Sequence, residues 1–289
     1  MLVKEIINEM KELIDRELEN TLKGEIEYQE RIIESINYSL FTGGKRIRPI
    51  LLLKSCEAFS GGYNQAIPFA LAIEMIHTYS LIHDDLPSMD DDDFRRGKPT
   101  NHKVFGNAIA ILSGDGLLNL AFETMISHTL KNSNNMDECE RNIRAMDEIA
   151  RYSGIYGMIG GQVVDLLSND ISMDEDKLIF MYKRKTAALI QASIVAGVIL
   201  GGGTDEDIEN MRKFGLNLGL AYQIRDDILD EEKDEEINKI TYLTYNNVDE
   251  STRKVENLSK DAIKILELYN TKDMKFLKNL TKNLIDREI

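Results

Sequence analysis

Six aspartates fall within ten residues at 84–93 (Asp84, Asp85, Asp90, Asp91, Asp92 and Asp93), and Arg95, Arg96 and Lys98 follow them at once. A second acidic group, QIRDDILD, occupies residues 223–230. Asp226 and Asp230 are four apart, so on a helix they lie about 40° apart and share a face. Two bare carboxylates there repel one another unless a cation sits between them. Asp84 and Asp90 are six apart, which a straight helix would turn about 120° away from each other. Pro87 changes this, because it disfavours helical geometry at Leu86 and removes an amide; the helix is expected to stop there and Asp90 to fold back toward Asp84. Such carboxylates are hard oxygen ligands suited to Mg²⁺, which keeps its remaining positions for water and phosphate oxygens. The sign reversal then has a use: aspartates hold metal while the forked donors of arginine hold the rest of a phosphate. A solvated acidic loop is the bland alternative. An EF-hand is excluded, because its sixth and twelfth positions counted from Asp90 are Arg95 and Asn101, where Gly and Glu are required.

FTGGKRIRP, residues 41–49, places Lys45, Arg46 and Arg48 after a Gly pair and before a proline. It is not a Walker motif, since Ser39 stands six before Lys45 and Arg46 follows it. A Gly-Gly turn with flanking cations can still hold a phosphate, although an ordinary basic turn has the same letters. His77 lies seven residues before Asp84, about 20° away around the same helix. A lone histidine on an apolar helix is more often a core residue, but this placement favours a role beside the acidic motif.

The elements that must carry these residues read as helices. Apolar residues recur three and four apart (Ile6, Met10, Leu13, Ile14; Leu71, Met75, Leu81, Ile82; Leu216, Leu220, Ile224, Ile228), and all four prolines lie in the first hundred residues. Breaks are expected at 43–45, 59–64, 131–137, 168–176 and 201–207. The last two end in helix caps, Ser172 three before Glu175 and Thr204 three before Asp207. No linker divides the chain, so residues 1–289 read as a single all-α domain of ten or more helices. The net charge of −15 and the lack of a basic stripe exclude nucleic acid as a partner. The stretch 187–203 is the most apolar, but Gln191 and Ser193 interrupt it; it reads as a buried helix, and no membrane span is expected. The first twenty residues alternate apolar and charged types without a signal-like stretch, and the two cysteines, Cys56 and Cys139, are far apart with no metal spacing. A reducing, cytoplasmic location is expected.

GGKRIRP, HDDLPSMDDDDFRRGKPTNH, GGQVVDL, KRKT and QIRDDILD occur in the order and approximate spacing of the trans-isoprenyl diphosphate synthases, and the chain resembles that polyprenyl synthetase family from about residue 30 onward. The pattern is most similar to bacterial short-chain farnesyl diphosphate synthases. The resemblance implies an all-α helical bundle around a deep central cavity, a homodimer, and head-to-tail condensation of isopentenyl diphosphate with dimethylallyl or geranyl diphosphate. It further implies that Asp84 and Asp90 bind two Mg²⁺ and Asp226 a third, with Asp230 supporting through water. Arg95, Lys185 and Lys239 would contact the allylic diphosphate, and Lys45, Arg48, His77 and Arg96 would hold isopentenyl diphosphate. Thr186 and Gln223 would turn oxygen dipoles toward a developing allylic cation. Tyr79 stands where the family commonly places an aromatic floor that limits chain length, with Ser80 beside it, and this favours a C15 product over C20. In one respect the chain departs from the pattern: EEKDEEINKITY follows DDILD almost immediately, where a longer loop with a further lysine is usual. A terpene cyclase, which needs no isopentenyl site, and a non-catalytic subunit of a heteromeric synthase are the rival readings; the intact motifs speak against both.

Overall fold

The structure, a computed structural model, describes residues 3–24, 27–168, 172–232, 239–269 and 274–285. It is all-α apart from one two-stranded hairpin among the described residues. The chain forms two compact units, one of residues 1–53 and 64–146, the other of residues 54–63 and 147–289.

The first unit contains α1 (Val3–Thr21), α2 (Glu30–Leu40), the start of α3 (Ile47–Ser60), α4 (Ile67–Asp84), strands β1 (Phe94–Arg95) and β2 (Lys98–Pro99), α5 (Asn101–Phe105), α6 (Asn107–Asn132) and the start of α7 (Met136–Ser153). Pro68 in the first turn of α4 supplies the fixed φ a helix start needs without sacrificing a bonded amide. Eleven residues of α4, including Phe69, Met75, Ile76, Tyr79 and Ile82, are buried. Its long partner is α6, the one described helix whose length and apolar character would suffice to cross a membrane. Here Ala110, Ser113, Leu117, Ala121 and Met125 of α6 are buried in packing that includes α4 and α2. A buried polar cluster ties α2, α5 and α6 together: Ser113 donates to Ser35 (2.8 Å), Ser35 to Asn101 Oδ1 (2.9 Å), and Asn101 Nδ2 to Ser39 (2.7 Å).

The second unit contains α8 (Met158–Leu166), α9 (Glu175–Met181), a π-helical segment Tyr182–Ala187, α10 (Ala188–Leu200), α11 (Asp205–Leu229), α12 (Val248–Glu267) and α13 (Lys275–Ile285). All of α10 is buried, as its apolar sequence predicts. Thr204 and Asp207 form the expected reciprocal cap of α11, each accepting the other's amide (3.2 and 2.9 Å). The expectation at Ser172 is corrected. Asp174, directly before the first helical residue, accepts the Lys177 amide at 2.9 Å and caps α9; Ser172 lies two residues further out, and its carbonyl receives the Lys177 ammonium instead. Nothing in the sequence marks the π-helical segment. Its widened turn is accommodated by glycines on two neighbouring helices. A Cβ on Gly219 of α11 would lie 2.5 Å from that of Ala187, and one on Gly161 of α8 would lie 2.7 Å from Cα of Lys185.

Candidate active-site residues in each unit

In the first unit α4 ends at Asp84, and Asp85 caps it. The Asp90 amide donates to the Asp84 carbonyl at 2.9 Å, so the chain doubles back across Pro87 as its sequence predicts. The three aspartates have different surroundings. Asp84 is half-buried and Asp90 exposed, whereas Asp85 is 3% exposed. Asp85 accepts from Arg95 Nε (2.6 Å) and faces its Nη2 (2.5 Å). Burial pushes the Asp85 carboxyl above its usual range, against the hydrogen bond and charge of Arg95. Arg95 is presented by the β1–β2 hairpin, whose two-residue turn has positive φ at Arg96 (53°) and Gly97 (77°), the geometry that matches strand twist. Arg-Gly is a poor signal for that turn, and sequence reasoning did not find it.

The same turn sends Arg96 to the Gly43 carbonyl. Its guanidinium lies over Gly44, where a Cβ would come within 2.7 Å of Nη1; with φ of 122° as well, that position requires glycine. Of the cations after the Gly pair, Lys45 is exposed and Arg48 half-buried. Arg46, the middle of the three cations after the Gly pair, is turned inward. It is 3% exposed, in a left-handed conformation (φ 52°), and bonded to Asp15 of α1 (2.8 Å), Glu74 of α4 (2.6 Å) and the Leu40 carbonyl (2.5 Å). Arg48 Nη1 lies 3.4 Å from His77 Nε2. Burial, then Arg48, Arg96, Arg95 and Arg46, hold the His77 ring well below its ordinary value of 6.5, so without an anion it is neutral. Two residues along α4, Tyr79 is 6% exposed and packs edge-on against His83 at 5.7 Å; its hydroxyl has no hydrogen-bond partner among the described residues. Burial and the Asp84 charge push that hydroxyl up to about 12. Ser80 bonds back to the His77 carbonyl at 2.9 Å.

In the second unit the DDILD motif repeats the pattern. Asp226 is half-buried, Asp227 is 2% exposed and Asp230 is exposed. Asp230 sits one residue past the end of α11 rather than inside it, its amide donating to the Asp226 carbonyl at 2.9 Å. Asp227 accepts from the Tyr182 hydroxyl (2.5 Å), the Tyr242 amide (3.1 Å) and Gln223 Nε2 (3.2 Å). Burial raises its carboxyl, against those three bonds and the charge of Lys239. From the π-helical segment, Thr186 donates to Gln223 Oε1 at 2.7 Å, and Lys185 pairs with Asp165 of the GGQVVDL stretch. π-Helical turns recur at functional sites, and this one sets Lys185 and Thr186 side by side. Lys239 is exposed. Most of the short segment after DDILD, residues 233–238, lies outside the described residues.

Sequence reasoning missed Asp85, Asp165, Asp227 and the Arg46 partners Asp15 and Glu74; only the repeated Asp-Asp pairs hinted that one member of each has another task. Among the described residues no three carboxylates, imidazoles or thiols form a ready-made metal cluster. The half-buried Asp84 and exposed Asp90 of the first unit, and separately the half-buried Asp226 of the second, are hard oxygen donors of the kind Mg²⁺ takes when water and phosphate complete its shell. These residues fit Mg²⁺.

The heterodimeric geranylgeranyl pyrophosphate synthase large subunit 1 of Arabidopsis thaliana is 45% identical over 246 residues, 80% of this chain; the match spans 66% of that relative's length. An FPP/GFPP synthase of Zymomonas mobilis superposes with a TM-score of 0.89 at 32% identity, covering 98% of both chains. A geranyltransferase of Legionella pneumophila gives 0.89 at 33% identity, covering 99% of this chain and 96% of its own. Residues 29–272 match the polyprenyl synthetase family, and the chain belongs to it.

Proposed function

We propose that this chain is a Mg²⁺-dependent prenyltransferase that condenses isopentenyl diphosphate with dimethylallyl or geranyl diphosphate, giving farnesyl diphosphate and releasing diphosphate. The observation that carries the reading is the sorting repeated in both acidic motifs. In each, the second aspartate is buried among internal partners, while the first is half-buried and the last exposed. Asp84, Asp90 and Asp226 are accordingly the metal ligands, with Asp230 in support. Three Mg²⁺, when bound, supply positive charge to the oxygens of the departing diphosphate.

The residues of the chain do the rest. Arg95, Lys185 and Lys239 bind the allylic diphosphate, and Lys45, Arg48, His77 and Arg96 bind isopentenyl diphosphate; holding both substrates supplies the orientation term. The allylic C–O bond breaks, its electron pair leaving with diphosphate. The double bond of isopentenyl diphosphate attacks the cation, and the proton lost afterwards goes to the released diphosphate. Thr186 and Gln223 turn fixed oxygen dipoles toward the positive carbon.

Tyr79, a buried aromatic ring five residues before Asp84, favours a C15 product over a longer one. The naming of the Arabidopsis thaliana relative favours a second reading, a C20 geranylgeranyl product, and its heterodimeric description a third, a subunit that works with another chain. One experiment separates them: purified protein with Mg²⁺, isopentenyl diphosphate and each allylic starter, products resolved by chromatography. We expect C15 from wild type and longer products from Tyr79→Ala. C20 from wild type would replace the product assignment, and no product in any combination would overturn the enzymatic reading.

A further inference from the structure

We infer that Asp227 is a positioning residue that fixes which end of the Gln223 amide faces Thr186 and anchors the segment carrying Lys239. This rests on the proposed prenyl transfer. Gln223 turns its NH₂ toward Asp227, Nε2 donating to Oδ1 at 3.2 Å. Its oxygen must then point the other way, where the Thr186 hydroxyl donates to it at 2.7 Å. With its only proton committed, Thr186 offers nothing but lone pairs to any further neighbour. The orientation of both dipoles assigned to the allylic cation is therefore dictated by a residue that need not touch substrate.

The other carboxylate oxygen, Oδ2, takes the Tyr182 hydroxyl and the Tyr242 amide. Tyr182 begins the π-helical segment that bears Lys185 and Thr186, and Tyr242 begins the short turn that follows Lys239. One buried carboxylate thus ties three stretches of chain: α11, the π-helical segment and residues 239–242. Its burial at 2% exposure and its three partners distinguish it from Asp226 beside it, which is half-buried. Replacing it by asparagine leaves the volume; the Tyr242 amide, which can only donate, keeps the asparagine oxygen, and the NH₂ then meets the one Gln223 already presents. Gln223 then turns over and directs its donors, with their positive hydrogens, toward Thr186 and the allylic carbon.

The test compares Asp227→Asn, Gln223→Leu and the double variant in the whole protein, using Mg²⁺, isopentenyl diphosphate and geranyl diphosphate. Asp227→Asn should lower kcat at least tenfold, with both KM values and the half-saturating Mg²⁺ concentration within about threefold of wild type. In the Gln223→Leu background the same change should cost little more than Gln223→Leu alone. Independent, multiplicative losses would overturn the inference, as would a tenfold rise in the Mg²⁺ requirement, which would make Asp227 a ligand. Hydrogen exchange supplies a readout without turnover. The Tyr242 amide should exchange at least tenfold faster in Asp227→Ala, which removes both carboxylate oxygens, while the α10 amides stay protected, and equal rates at Tyr242 would also overturn it. If Asp227→Asn does not fold, Tyr182→Phe removes one bond to the same carboxylate and should give a smaller loss in kcat with the same KM pattern; unchanged kcat would count against the inference. A wild-type chain without prenyl transfer would remove the proposed function but leave the exchange result standing.

Discussion

Individual side chains in this protein are told apart by what surrounds them more than by their type. Asp84 and Asp85 are adjacent and identical, yet one is half-buried at a helix end and the other is sealed against Arg95. His77 is distinguished in the same way, by burial and by four arginines. Because folding keeps its ring neutral, the unfolded chain binds the proton more tightly. Above pH 6.5 both states are neutral and the contribution of His77 is complete. As the pH falls below 6.5 the unfolded chain takes up the proton, and stability drops by up to about 1.4 kcal/mol per pH unit until the lowered folded value is reached. Denaturant unfolding at pH 7.5 and 5.5 checks this: His77→Gln should lose less stability across the interval than wild type, and equal losses would refute the assignment. The sequence revealed which residue types do chemistry, because clustered like charge is visible in one dimension. It did not reveal that Arg46 is structural, since its partners Asp15 and Glu74 come from 31 and 28 residues away.

At the scale of elements, helical periodicity was readable almost everywhere it mattered. The apolar run after residue 187 became a buried helix, and Thr204 capped α11. The failures are elements whose cause lies in a neighbour. The π-helical segment Tyr182–Ala187 has no local marker, and only its packing against Gly161 and Gly219 accounts for it. Gly161→Ala forces a methyl group into the Lys185 backbone, which cannot yield as a flexible side chain could. Overpacking of this kind costs about 1–3 kcal/mol. We expect a lower melting temperature together with a raised KM for the allylic substrate, because Lys185 moves with the backbone. A variant with wild-type melting behaviour and KM would show that the close approach is dispensable. The RRGK hairpin was missed for a different reason. Its turn depends on Arg96 adopting a left-handed conformation that arginine seldom takes, and the bond from Arg96 to the Gly43 carbonyl helps to hold it there.

At the scale of the whole molecule, we propose that the homodimer expected from the sequence is formed through α6. Ile111, Leu112, Ile126 and Leu130 are 44%, 52%, 47% and 80% exposed and fall within about 100° of one another around the helix. Apolar groups left this open suit the contact face of the proposed dimer. Sedimentation equilibrium should give twice the chain mass of 32.9 kDa, and Leu130→Lys with Ile126→Lys should shift it toward monomer. A wild-type monomer at micromolar concentration would refute the dimer. The Arg46 cluster has a consequence for anyone exchanging parts between relatives. The GGKRIRP turn is keyed to α1 through Asp15, to α4 through Glu74 and to the hairpin through Arg96 over Gly44. A chimera that swaps residues 41–49 alone separates a lock from its tumblers; grafts that travel with positions 15, 74 and 96 keep the mechanism whole.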